Sequence, residues 1–147
     1  TQVQWGALDV LLVDLPPGTG DVQMTLSQKA QVDGAIVVST PQDVALLDAR
    51  KGIDMFKQLN VPLLGMIENM STHICSACGH EEHVFGHGGV ASEAAKLGVP
   101  LLAEIPLDLQ IRLASDGGAP IVVSQPDSGQ AKAFHDVAAA LVAKGVA

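Results

Sequence analysis

Two short stretches of the 147-residue chain carry residue types whose spacing can do chemistry. The first is Cys75-Ser76-Ala77-Cys78, in which two residues between the thiols let both sulfurs point at one metal. The following Gly79 permits the tight turn that aims backbone N–H groups at sulfur. These are the only 2 cysteines, whereas an iron-sulfur cluster generally takes four thiolates, so one chain offers half a cluster site and two chains about a two-fold axis offer a whole one. His73, His80, His83 and His87 crowd the same stretch. Together with Cys75 and Cys78 they leave a zinc site of two cysteines and two histidines open, as well as a plain polar loop, which is the expectation for His83 and His87.

The second stretch is Asp14-Leu15-Pro16-Pro17-Gly18-Thr19-Gly20-Asp21, an acid followed by paired prolines and two glycines. A carboxylate at a strand end can hold Mg²⁺, usually through water. Prolines fix φ, and glycines let backbone N–H groups approach a phosphate oxygen with no Cβ in the way. A strand-to-helix turn in which Asp14 and Asp21 cap backbone donors explains the same octet.

These residues need elements to hold them. The runs Leu8-Asp9-Val10-Leu11-Leu12-Val13, Gly34-Ala35-Ile36-Val37-Val38-Ser39, Leu63-Leu64-Gly65-Met66-Ile67 and Leu101-Leu102-Ala103-Glu104-Ile105 are short and nearly continuous in apolar character, as expected of parallel strands buried on both faces. Helical patterns lie between and after them, over residues 22–32, 43–59, 90–97, 107–114 and 130–144. In the 43–59 helix Val44, Leu47, Phe56 and Leu59 are expected near one face. In the last helix Phe134, Val137, Ala138, Leu141 and Val142 are expected against the sheet. Strand and helix in alternation predict an α/β domain, a parallel sheet flanked by helices, with ligands at the carboxyl ends of the strands.

The hydrophobic fraction of 48% suits one packed domain. A net charge of −8, from 8 Lys+Arg against 16 Asp+Glu, provides no basic stripe for a nucleic-acid backbone. No apolar run reaches the roughly 18 residues of a bilayer span, and the last helix has only Lys132 and Lys144 to attract a membrane surface. The expectation is a soluble cytoplasmic protein without nucleic-acid or membrane partners. Thr1 in place of a methionine, running straight into an apolar segment, suggests a chain cut from something longer.

Taken in order, LLVDLPPGTGD, VVSTPQDVALLDARKGIDMF, GMIENMS, the CxxC, FGHGG and IPLD resemble the Mrp/Nbp35 family, also called ApbC, over about residues 7–145. The resemblance implies a P-loop NTPase fold of the SIMIBI or MinD-like type, with residues 1–147 forming one partial nucleotide-binding domain, incomplete at its N-terminus. It implies ATP and Mg²⁺ as ligands, with Asp14 as the Walker B acid and Pro17 and Gly18 as a nucleotide-sensing switch. Asn69 becomes the adenine contact, and Pro106 and Asp108 belong to a loop that closes over the base. Cys75 and Cys78 become half of a cluster site, [4Fe-4S] by expectation, bridged across a homodimer and delivered to apo iron-sulfur proteins. The rival output is a nucleotide-switched partitioning or scaffold ATPase with structural zinc at the CxxC.

One departure is large. The family's glycine-rich P-loop with its lysines is absent from this sequence, so ATP hydrolysis is an expectation for a longer protein and not for this chain alone. The strand that carries the P-loop would pair beside the 8–13 run, and without it an open sheet edge is expected.

Overall fold

The computed structural model describes residues 3–146. Its centre is a three-stranded parallel sheet formed by β1 (Ala35–Ser39), β2 (Leu63–Asn69) and β5 (Leu101–Ile105), in the order β1-β2-β5. Each strand is rich in aliphatic and β-branched residues, which suit a pleated surface covered by helices. The register places Val37 beside Met66, Glu68 beside Glu104 and Asn69 beside Ile105. All three strands run the same way, so their carboxyl ends share one edge of the sheet.

α2 (Asp43–Gln58) connects β1 to β2, and α3 (Gly89–Leu97) leads into β5. These two helices bury their apolar stripes on one face of the sheet, where Val37, Leu46, Ile53, Met66, Val90 and Ala94 form the core. Between β2 and α3 the chain makes a two-rung antiparallel hairpin, β3 (His73–Ile74) with β4 (Glu81–Glu82). α1 (Asp21–Lys29) precedes the sheet. After β5 come α4 (Leu109–Asp116), the short α5 (Ile121–Ser124) and α6 (Gly129–Ala143), which packs against β5. Asp108 caps α4 by accepting from the N–H groups of Gln110 and Ile111, and Ser128 caps α6 by accepting from Ala131 N. Gly98, at φ 69°, ends α3 in the left-handed conformation that glycine adopts without strain. Among the described residues no helix is long and apolar enough to cross a membrane.

Four expectations are corrected. Residues 8–13 form no strand, and they lie exposed, Leu12 at 81%. A strand exists only where its N–H and C=O groups meet a neighbour about 4.8 Å away, and β1 forms the sheet edge without pairing to this run. β1 is also not buried on both faces. Ala35, Val37 and Ser39 face the helices, while Val38 on the opposite face is 57% exposed. On α2 the buried residues are Leu46, Ile53 and Met55, whereas Val44 and Leu47 point to solvent. The helix presents its 46, 49 and 53 stripe to the sheet, and tertiary packing overrides the other apolar grouping. In α6, Val137 and Leu141 are half-buried, while Phe134, Ala138 and Val142 are exposed and the fully covered residue is Ala131.

Two contacts fix α3 against its neighbours. A Cβ on Gly89 would lie 2.6 Å from the carbonyl oxygen of Pro41 and 2.9 Å from Leu46 Cδ1, so only glycine lets the helix start this close to the β1–α2 loop. Gly89→Ala should destabilise by about 1–3 kcal/mol, read as a lower urea midpoint at unchanged m-value. Glu93, 6% exposed, accepts from Arg50 Nη2 at 2.7 Å. The hydrogen bond from Arg50 holds its carboxyl below the ordinary value, against the opposing effect of burial, and the Arg50 and Lys96 charges add to the lowering. A carboxyl depressed in the folded state stabilises above its unfolded value of about 4.3 and loses that contribution as pH falls through the lower folded value. Glu93→Gln should therefore melt lower at neutral pH, and its thermal stability should decline less steeply with acid than that of the native chain.

Candidate functional site

The residues expected to handle phosphate line one wall of a cleft of about 680 Å³. Asp14, Pro16, Pro17 and Gly18 face Ser39 and Thr40 at the end of β1, with Asp48, Met55 and Phe56 of α2 completing the lining. Gly18 sits at φ 89°, a backbone conformation that disfavours any Cβ. The loop has a buttress that sequence reasoning missed. Gln23 on α1 is 3% exposed, and its Nε2 donates to the carbonyl oxygens of Pro16 at 2.6 Å and Gly18 at 3.1 Å. A polar residue inside an amphipathic helix carries no sequence signal for such a role. The carboxylate of Asp14 is exposed on this wall, and its oxygen donors and open setting suit a hydrated Mg²⁺.

The residues expected on the adenine side form a second group at the carboxyl ends of β2 and β5. Asn69 ends β2, and its Oδ1 accepts from Met70 N at 3.0 Å. The left-handed residue at this turn is its neighbour Met70, at φ 56°. The amide acceptor is engaged locally, and the Nδ2 donors are what Asn69 offers outward. Asp108 Oδ1 caps α4, while its Oδ2 accepts from Gln130 Nε2 at 2.8 Å, which ties the loop after β5 to the start of α6. Pro106 lines a different cleft, of about 430 Å³, together with His83, His87 and Glu104. No residue lines both clefts.

Cys75 and Cys78 sit on the loop that joins β3 to β4, both as free thiols, with Cys78 the more exposed. Backbone bonds from Cys75 N to His80 O and from Gly79 N to Cys75 O close the loop at 2.9 and 2.8 Å. Hydrogen bonds from the backbone N–H of Ala77, then that of Cys78, and then from the Cys78 side chain draw the Cys75 thiol below its ordinary value, against burial and the Glu82 charge. Donors aimed at sulfur are what a metal thiolate needs. The two-cysteine, two-histidine zinc set is not assembled. His73 Nδ1 pairs with Glu82 Oε1 at 3.0 Å, His83 Nδ1 lies 3.0 Å from Ser71 O, and among the described residues no third donor joins the two sulfurs. Iodoacetamide should alkylate Cys75 at a lower pH than it does an unstructured thiol, with site-resolved mass spectrometry as the readout; equal pH profiles would contradict the amide support.

The chain's relatives agree in kind. A family model described as "ParA: NUBPL iron-transfer P-loop NTPase" matches residues 1–142. An iron-sulfur cluster carrier protein of Pseudomonas fragi is 51% identical over 138 residues, covering 94% of this chain and 48% of that protein. The iron-sulfur cluster transfer protein NUBPL of Mus musculus is 52% identical over 141 residues, covering 96% of this chain and 44% of that protein. The chain thus spans about half the length of the curated relatives it matches. A solved nucleotide-binding protein from Archaeoglobus fulgidus in complex with ADP superposes with a TM-score of 0.71 at 39% identity, over 86% of this chain and 51% of that one. The Pyrococcus furiosus cell division ATPase MinD superposes at 0.57 and 29% identity, over 75% of this chain and 42% of that one. The fold is that of the MinD-like P-loop NTPases.

Proposed function

Because the chain belongs to the iron-transfer P-loop NTPase family, we propose that it is the half of an ATP-dependent iron-sulfur cluster carrier that presents the cluster ligands and one wall of the nucleotide site. The cluster is cargo, held between two copies of the β3–β4 loop and passed to apo iron-sulfur proteins. The observation that carries this reading is the pair of free thiols, Cys75 and Cys78, on one hairpin loop, with no third protein donor from their own chain among the described residues. Half a ligand set on an exposed hairpin calls for a second copy, and a two-fold axis between hairpins brings four sulfurs together. Such a homodimer leaves the cluster open to a recipient, and its four thiolates could hold a [4Fe-4S] cluster, the form the family resemblance implies.

The nucleotide half of the proposal rests on the cleft beside β1. A P-loop strand supplied by the rest of the protein would pair with the free edge of β1 and give the 8–13 run the neighbour it lacks, restoring it as a strand. Asp14 would then hold a hydrated Mg²⁺ at the phosphates, and Gly18, braced through Gln23, would offer its N–H to the terminal phosphate. Asn69 would donate its amide to the adenine, with the 106–108 loop over the base. Movement of the 14–18 loop on hydrolysis would reach the partner subunit and alter the spacing of the two cysteine hairpins. A cytoplasmic setting, where thiols stay reduced, suits this chemistry.

Anaerobic reconstitution of the intact protein with iron and sulfide tests the reading. The expected product is a brown dimer whose iron is shared between two chains, and Cys75→Ala or Cys78→Ala should abolish the visible absorption. Retention of the cluster by both variants, or a colourless monomer with one zinc per chain, would overturn it.

A further inference from the structure

A separate set of donors lies at the carboxyl ends of β2 and β5. Glu68 is the next-to-last residue of β2 and stands in register with Glu104 of β5. His87 lies in the turn that leads into α3. One ligand atom from each of Glu68, His87 and Glu104 lies within 4.8 Å of the other two. Glu68 is 0% exposed, and its two oxygens differ. Oε2 accepts from Val90 N at 3.0 Å, at the start of α3, whereas Oε1 is buried with no hydrogen-bond partner. A buried carboxylate oxygen without a donor is rare in native structures and calls for a partner outside the chain, an ion or a water.

The geometry suits a cation. Metal-to-oxygen and metal-to-nitrogen bonds run about 2.0–2.2 Å, so three ligands around one ion stand roughly 3–4 Å from one another, and three atoms within 4.8 Å of one another reach it by closing about 1 Å or less. Two carboxylates and one imidazole balance a divalent charge, and the mixed oxygen and nitrogen set favours a first-row transition ion over Mg²⁺ or Ca²⁺. His87 is also held in place: its ring lies 4.3 Å from that of His83, whose Nδ1 is anchored on Ser71 O. His87 and Glu104 open onto the 430 Å³ cleft, which gives an entry path. Neither sulfur of the cysteine pair belongs to the set.

We propose that Glu68, His87 and Glu104 form a binding site for a divalent first-row transition metal, independent of the cysteine pair, that clamps the start of α3 to the ends of β2 and β5. The site adjoins Asn69 in sequence and opens beside the hairpin that carries the thiols. A bound ion would therefore stiffen the segment that links the base-side residue to the cargo loop.

The test uses the double variant Cys75→Ala/Cys78→Ala, so that it does not depend on the cluster reading. Titration with Co²⁺ should give one ion per chain, with visible ligand-field bands, no thiolate charge-transfer band in the near ultraviolet, and a raised melting temperature. Adding His87→Ala or Glu104→Gln, both at exposed positions that the fold should tolerate, should weaken binding at least tenfold and remove the metal-dependent rise in melting temperature. Glu68→Gln should do the same where it folds. Loss of all Co²⁺ binding with the two cysteines, or binding unchanged by His87→Ala and Glu104→Gln, would overturn the proposal.

Discussion

Backbone pairing is the constraint on which the rest of this molecule depends. Among the described residues β2 is the one strand with a neighbour on each side, and its register sets what stands beside what: Val37 against Met66 in the core, Glu68 against Glu104 near the carboxyl edge. The close approach at Gly65, where a Cβ would meet Leu102 Cγ at 2.6 Å, belongs to the same ladder and to its register shift between Met66 and Ile67. Where pairing stops, regular structure stops. The 8–13 run is as apolar as β1, yet it forms no strand, because apolar character can bury a strand but cannot satisfy its N–H and C=O groups.

The two chemical regions are held by different means. The 14–18 loop depends on one buried side chain, Gln23, reaching from α1 to two carbonyl oxygens. The cysteine loop depends on its own backbone, closed between Cys75 and His80 and between Gly79 and Cys75. The first arrangement ties the loop's position to that of a helix, so a displacement of α1 moves the loop with it. The second makes the thiol geometry local, so it can persist while the hairpin as a whole shifts.

Much of this was legible in the sequence. The three paired strands were read from nearly continuous apolar runs, and α2, α3 and α6 from helical spacing, because burial against a sheet leaves a periodic record. The β3–β4 hairpin was not, since two residues per strand leave no period to detect. The cysteine pair was legible by spacing, whereas the missing zinc set depends on where His73 and His83 find their partners, Glu82 and the Ser71 carbonyl. His87 lies in a loop, as expected, but one of its ring nitrogens comes within 4.8 Å of a carboxylate oxygen of both Glu68 and Glu104. Only the register brings Glu68 and Glu104 side by side, and register belongs to the sheet and to no single segment. A lone acid inside an otherwise apolar strand was the available signal at Glu68.

The hairpin that carries the thiols is acidic on its return strand. Glu81 accepts from Thr72 and Glu82 pairs with His73, both on the surface. In a two-fold arrangement of such hairpins, Glu82 of each copy, whose charge acts on Cys75, would lie near the bound sulfurs. Negative charge around a cluster stabilises its oxidised form and lowers its reduction potential. The same carboxylates would repel one another across the axis, so the hairpins would come together only while the cargo holds them. Grip on the cargo would then weaken at low ionic strength and strengthen as salt screens the repulsion, the reverse of what an attractive ionic interface would give.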